Sequence, residues 1–163
     1  MERELFTKLE RWMRKKNRKP LIIQGARQVG KTWIMKEFGA RFYENTVYIN
    51  FDNNKAMKDV FELDFDLKRI LSAIKIEYGK SFQAENTLII FDEIQEVTNW
   101  EKCINSLRVE MDCDIYITGS NARLLSGELA TVLGGRYVEF TIYPFSYTEF
   151  IELYKDIFPD VTD

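Results

Sequence analysis

Apolar positions along the chain fall into two alternating patterns. In one, apolar residues return every three or four positions, as on a buried helix face; in the other, they form short β-rich runs. Leu5, Leu9, Trp12 and Met13 share one face of an amphipathic helix within residues 1–18. Leu21-Ile22-Ile23-Gln24, entered through Pro20, predicts the first strand, and a helix from about Lys31 places Ile34, Met35 and Phe38 together. Thr46 to Asn50 predicts a second strand. Asp66 then reads as the N-cap of a helix with Leu67, Ile70, Leu71 and Ile74 as its stripe and Gly79 near its end.

Thr87-Leu88-Ile89-Ile90-Phe91 is apolar without interruption after its first residue, as a strand covered on both faces must be. Thr98 with Glu101 has the spacing of a capping box, opening a helix that faces inward through Trp100, Cys103, Ile104, Leu107 and Met111. Ile115 to Thr118 and Tyr137 to Ile142 complete the strands. Ser146 and Glu149 form a second capping box before a helix that buries Phe150, Leu153, Tyr154 and Ile157. Strands alternating with helices in this way predict βαβ units and a mainly parallel sheet.

Between the first strand and its helix lies Gly25-Ala26-Arg27-Gln28-Val29-Gly30-Lys31-Thr32, a full match to G-x-x-x-x-G-K-[ST] in the required context. Glycines let the backbone turn tightly and bring its N–H groups onto phosphate oxygens. The helix N-terminus adds partial positive charge. Lys31, expected to be exposed before a ligand arrives, supplies a mobile charge for the β- and γ-phosphates, and the Thr32 hydroxyl can ligate Mg2+.

Asp92 and Glu93 follow the buried strand at Phe91, where ligand sites of open α/β sheets lie. Adjacent residues of a strand tip point in opposite directions, so the two acids should do different work. Asp92 is the candidate for the metal, and Glu93 for orienting and deprotonating an attacking water. After the next strand come Gly119-Ser120-Asn121, where Asn121, with Ser120 second, could hydrogen-bond the γ-phosphate or the water. Gly134-Gly135-Arg136 offers an arginine for transition-state charge, in its own subunit or a neighbour's, with Arg27 and Arg123 as weaker candidates.

Composition narrows the chemistry further. With no histidine among 163 residues, His-based triads, imidazole metal ligands and histidine phosphorelays are excluded. Two cysteines, Cys103 and Cys113, are too few for a disulfide framework or a zinc site and read as buried reduced thiols. No apolar run approaches the ~18 residues of a membrane span, and there is no signal peptide, so a cytoplasmic setting without membrane contact is expected. The net charge of −3 hides an asymmetry: residues 1–19 carry eight Lys or Arg against three Glu, net +5, leaving −8 elsewhere. That basic run belongs to an amphipathic helix with a solvated face, although such runs also serve nucleic acid or anionic lipid.

Taken in order, these motifs resemble the AAA-type phosphate-loop ATPases, within a large prokaryotic group. The match rests on Trp12 in a basic first helix, Lys19-Pro20-Leu21 before the glycine loop, and Phe91-Asp92-Glu93-Ile94-Gln95. It continues through Thr118-Gly119-Ser120-Asn121, Gly135-Arg136-Tyr137 and Tyr143-Pro144-Phe145-Ser146 to Glu149-Phe150. The resemblance implies an α/β three-layer core with helices on both faces of a five-stranded sheet ordered 5-1-4-3-2, spanning residues 1–163. It also implies ATP, rather than GTP, as the nucleotide. Proteins of this group continue into a winged-helix segment and a further domain, so the chain reads as a fragment or a short member, with any DNA contact made by that further region.

The function expected is ATP–Mg2+ binding and hydrolysis that drives change in a partner domain or a neighbouring copy. The alternatives are a nucleotide-gated binding module and, less favoured because Glu93 sits beside Asp92, a small-molecule kinase. The chain alone is expected to bind nucleotide and turn it over slowly.

Overall fold

The computed structural model describes residues 4–26, 28–64, 66–79, 86–111, 113–119, 135–144, 149, 151–152 and 155. Three strands, β1 (Leu21–Gly25), β3 (Thr87–Asp92) and β4 (Asp114–Thr118), are buried at every residue. Only a sheet with helices on both faces produces that pattern. Between and around them run α1 (Glu4–Met13), α2 (Lys31–Phe42), β2 (Asn45–Asn50), α3 (Lys55–Leu63), α4 (Leu67–Tyr78), α5 (Trp100–Glu110) and β5 (Val138–Ile142). The five strands lie in the order β2-β3-β4-β1-β5, every pair parallel. This is the expected order.

The period of two along each strand divides the core. Ile22, Val47, Ile49, Ile89, Phe91, Ile115 and Ile117 face α3, α4 and α5. Leu21, Ile23, Leu88, Ile90, Tyr116 and Ile142 face α1 and α2. Helix α1 contributes Leu5, Phe6, Leu9 and Trp12 to that second face, so its apolar stripe is spent on the core. Among the described residues, no helix is long and apolar enough to cross a membrane.

Four expectations need correction. First, α3 lies where only a connection was expected: the Asn54 side chain accepts from Met57 N–H at 3.0 Å, and Met57 and Phe61 are buried one turn apart. Second, α1 ends at Met13 rather than reaching residue 18. Asn17 adopts a left-handed φ of 54°, and the Arg18 guanidinium folds back to donate to the carbonyls of Met13 and Lys15. Third, the Thr98–Glu101 capping box does not form. Asn99, at φ 55° and without a side-chain cap bond, is the N-cap of α5, while Thr98 N–H donates to Glu62 of α3 at 2.9 Å. Fourth, Cys113 is half-buried, whereas Cys103 is buried as expected; neither is in a disulfide. Asp66 and Gly79 cap α4 as expected, Gly79 at φ 63°. Ser146, Phe150, Leu153, Tyr154 and Ile157 lie outside the described residues.

Helix α2 carries the last two residues of the glycine loop, Lys31 and Thr32, and its distance from the sheet is set by Gly39. A Cβ there would meet both Cγ2 and Oγ1 of Thr46 at 2.7 Å and Leu88 Cδ2 at 3.2 Å. Alanine is the better helix former by about 1 kcal/mol, but overpacking costs about 1–3 kcal/mol. Gly39→Ala is therefore expected to lower stability in urea denaturation, and adding Thr46→Ala should recover most of the loss. A stabilised single variant would show that α2 does not rest on the sheet this closely.

Candidate functional site

The phosphate-binding motif joins β1 to α2 through two backbone requirements. Gly25, at φ 155°, passes so close to β5 that a Cβ would lie 2.5 Å from the Ile142 carbonyl oxygen. Gly30, at φ 89°, is the N-cap of α2 and offers no side chain, so the first N–H groups of the helix are left for an external acceptor. Gln28 is also left-handed, at φ 64°. Left-handed kinks of this kind let the backbone N–H groups of a loop point to one side.

Lys31 is 9% exposed, not the free side chain expected. Its Nζ donates to the carbonyls of Gly25 at 2.8 Å and Ala26 at 2.6 Å. An ammonium in so little water needs such acceptors. The lysine is thus held inside its own loop.

The loop faces a cavity of about 530 Å3, which it lines through Gln28, Gly30, Lys31 and Thr32. Asp92 and Glu93 line the same cavity from the end of β3. The structure therefore brings the two motifs together, as the sequence required. Asp92 is 5% exposed, yet its carboxylate is well supplied with donors. Thr32 Oγ1 donates to Oδ2 at 3.2 Å, the Tyr48 hydroxyl donates to the same oxygen, and the Thr118 hydroxyl donates to Oδ1. Burial first, then the hydrogen bond to Asp92 and that carboxylate's charge, push the Tyr48 phenol up to about 12. It therefore stays a donor through the neutral range. Lys36 Nζ lies 3.9 Å from the Tyr48 ring centroid, which fixes the ring from its other side.

Glu93 has a different environment. It is half-buried in a left-handed conformation, φ 55°, as N-cap of a single 3-10 turn, Ile94–Glu96. Its carboxylate accepts from the Gln95 amide. One acid is thus held by three hydroxyls and the other by one amide, and both line the cavity.

Sequence reasoning placed Thr118 in the Thr118-Gly119-Ser120-Asn121 motif without giving it a role, and did not single out Tyr48, Asn50, Asp52 or the half-exposed Trp33. Asn50, Asp52 and Trp33 line the cavity; Tyr48 and Thr118 hold Asp92. The signal available for Tyr48 and Asn50 was only their place near the end of β2, which pairs with β3 so that Asn50 lies beside Asp92.

Arg136 is not brought to this cavity. It precedes Val138, which pairs with Leu21 at the start of β1, whereas the phosphate loop leaves the other end of that parallel strand at Gly25. A five-residue strand separates the two, roughly 16 Å at ~3.3 Å per residue. Arg136 therefore does not serve the site of its own chain by this route. Arg27, Ser120, Asn121, Arg123 and Gly134 lie outside the described residues.

Thr32 and Asp92 supply hard oxygen donors and nothing softer, the type that suits a small divalent cation. No group of three or more His, Cys, Asp or Glu that could hold a metal occurs among the described residues. A cation here would complete its shell with water and ligand oxygens, which is how magnesium sits beside phosphates.

Residues 17–151 match the family described as AAA domain. An uncharacterized protein of Haemophilus influenzae is 41% identical over 140 residues, 80% of this chain and 32% of that protein. An uncharacterized protein of Methanocaldococcus jannaschii is 33% identical over 132 residues, 80% of this chain and 28% of that protein. The chain thus spans less than a third of the length of these relatives. Among solved structures, a variant of RuvB from Thermotoga maritima aligns with a TM-score of 0.60 at 18% identity, covering 96% of this chain and 50% of that one. Aeropyrum pernix Orc1, solved in complex with DNA, aligns with a TM-score of 0.54 at 15% identity, covering 93% and 46%. At these identities the likeness is one of fold.

The donors around Asp92 differ in their access to water, which makes their contributions separable. Thr118 is 0% exposed, so Thr118→Val keeps the shape and strands a buried carboxylate oxygen, at a cost of about 1.5–3 kcal/mol. Tyr48 is only half-buried, and Tyr48→Phe should cost less because water can replace the phenol. Urea denaturation of the two variants checks the ranking; the reverse order would mean that Thr118 is not a principal support of Asp92.

Proposed function

The chain belongs to the AAA domain family, and from that premise we propose that it binds ATP with magnesium in the phosphate-loop cavity and hydrolyses it. The observation that supports this best is the meeting of Lys31, Thr32, Asp92 and Glu93 around one cavity at the start of α2. Lys31 would exchange the Gly25 and Ala26 carbonyls for β- and γ-phosphate oxygens, a replacement of one set of acceptors by a charged one. The N–H groups of residues 26–32 and the α2 N-terminus would take the remaining phosphate oxygens.

Thr32 and Asp92 would hold magnesium, which when bound neutralises charge on the β- and γ-phosphates. Glu93 would orient a water and accept its proton as the water oxygen bonds to the γ-phosphorus. The bond from that phosphorus to the β,γ-bridging oxygen breaks, and ADP leaves with the electron pair. Asn121 is assigned to hydrogen-bond the γ-phosphate or the water.

With Arg136 at the far end of the sheet, the arginine for the transition state is assigned to a second copy or a partner segment, ahead of the weaker candidates Arg27 and Arg123. Such an arginine is worth ~10³–10⁵-fold in phosphoryl transfer. The chain by itself therefore binds well and turns over slowly in this reading. Turnover would serve to rearrange the neighbouring copy or domain that supplies it. Two cysteines that form no disulfide fit a reducing, cytoplasmic setting.

Phosphate release under saturating ATP–Mg2+ tests the assignment of Glu93. Glu93→Gln keeps the shape and removes basicity, so nucleotide binding should persist while turnover falls by ~10²–10⁴-fold. Turnover at the wild-type rate in Glu93→Gln would remove Glu93 from the mechanism.

A further inference from the structure

A second cavity, of about 540 Å3, opens at the opposite end of the sheet and is unused by the reading above. Lys16, Asn17, Arg18, Arg108, Cys113 and Asp114 line it. Its one carboxylate in that set is already committed, since Asp114 accepts from Arg18 Nε at 2.7 Å and from the Tyr43 hydroxyl at 2.5 Å. Arg18 is fixed further by its bonds to the Met13 and Lys15 carbonyls. Beside it, Arg108 Nε is buried without a hydrogen-bond partner among the described residues. A buried guanidinium donor left unpaired is costly, so this cation is one that an incoming oxygen would satisfy. Lys16 is exposed, and no ion pair engages it among the described residues.

The cations continue beyond the cavity. Lys15 is exposed on one side, and Arg136 is exposed just before β5 on the other. The starts of β4, β1 and β5 are neighbours, at ~4.8 Å per strand, so these charges form a rim along one end of the sheet. A row of cations matches a repeating anion better than a single one. Residues 20–163 sum to −8 even with Arg108 and Arg136 counted, so the chain beyond the rim is net acidic and attracts such a polymer less. An anionic membrane is the poorer partner. Surface helices that bind bilayers bury an apolar face in them, whereas Leu5, Phe6, Leu9 and Trp12 of α1 are already packed in the core.

We propose that the rim formed by Lys15, Lys16, Arg18, Arg108 and Arg136 docks the phosphodiester backbone of nucleic acid, with one phosphate seated in the cavity against Arg18 and Arg108. The rim meets phosphate rather than bases, so binding is independent of base sequence and strongly salt-dependent. It requires no nucleotide in the phosphate loop, and it stands or falls apart from the ATPase reading.

Anisotropy of a fluorescently labelled mixed-sequence DNA duplex, titrated with the full 163-residue chain across a salt series, tests this. Wild type should bind, with log K falling linearly on log salt. Lys16→Gln with Arg108→Gln should weaken binding and reduce that slope by about 2, roughly one for each phosphate no longer neutralised. Lys16→Gln alone, at an exposed position, should reduce it by about 1 and guards against misfolding of the double variant. Lys75→Gln removes the same charge from the last turn of α4 and should change only the weak long-range contribution.

Alkylation locates the docked phosphate. Burial pushes the Cys103 thiol up to about 12, leaving it inert, so the reaction reports Cys113 on the cavity wall, and the duplex should slow it. ATP affinity of the Lys16/Arg108 variant should equal that of wild type. The proposal is overturned if wild type fails to bind the duplex at low salt. It is equally overturned if Lys75→Gln matches Lys16→Gln, if the duplex leaves Cys113 alkylation unchanged, or if phosphatidylserine vesicles bind the chain and the duplex does not.

Discussion

A carboxylate taken almost wholly out of water must be given back its hydrogen bonds, and Asp92 is where that constraint ties the domain together. Its donors come from three other elements: Thr32 from α2, Tyr48 from β2 and Thr118 from β4. Each hydroxyl arrives only if its element has the correct register, so satisfying the charge fixes α2, β2 and β4 relative to β3. Parallel pairing of Asn50 with Asp92 and of Phe91 with Ile117 provides that register. The close seat of Gly39 on Thr46 carries the same constraint to α2 and the glycine loop.

An all-parallel sheet gives the domain two chemically distinct ends. The strands finish together, and at that end sit the phosphate loop, Asp92 and Glu93. They also start together, and there the chain places its basic segment, with Arg18 locked to Asp114 and Lys19 donating to the Gly135 carbonyl at 2.7 Å. The two cavities are nearly equal in volume, so size does not decide which of them suits the proposed nucleotide. Donor chemistry does: backbone N–H groups, a lysine, a hydroxyl and two carboxylates meet at only one of them.

Much of this was legible in the sequence because it depends on local rules. A short unbroken apolar run such as Leu88 to Phe91 fits an interior strand better than a helix, and the glycine spacing of the loop matches the phosphate-loop pattern in full. Helix α3 escaped notice because its signature is two buried residues, Met57 and Phe61, after a polar stretch that reads as a loop. Tyr48 escaped, and Thr118 was given no role within its motif, because both are ordinary strand residues that only cross-strand register turns into partners of Asp92. Arg136 was placed by motif order, although a residue that precedes a parallel strand must lie at the end opposite the loop. The Thr98–Glu101 pair had capping spacing, but tertiary contact with Glu62 claimed the Thr98 N–H.

The proposed nucleotide binding turns on Lys31, which holds the loop through the Gly25 and Ala26 carbonyls and is taken to release them for phosphate. Isothermal titration of ATP into wild type and Lys31→Ala, with magnesium and with it chelated, tests this most directly when each protein's melting profile is measured alongside. Wild type is predicted to bind in a magnesium-dependent way, and a still-folded Lys31→Ala to lose high-affinity binding. Unchanged affinity in the variant would contradict the role given to Lys31.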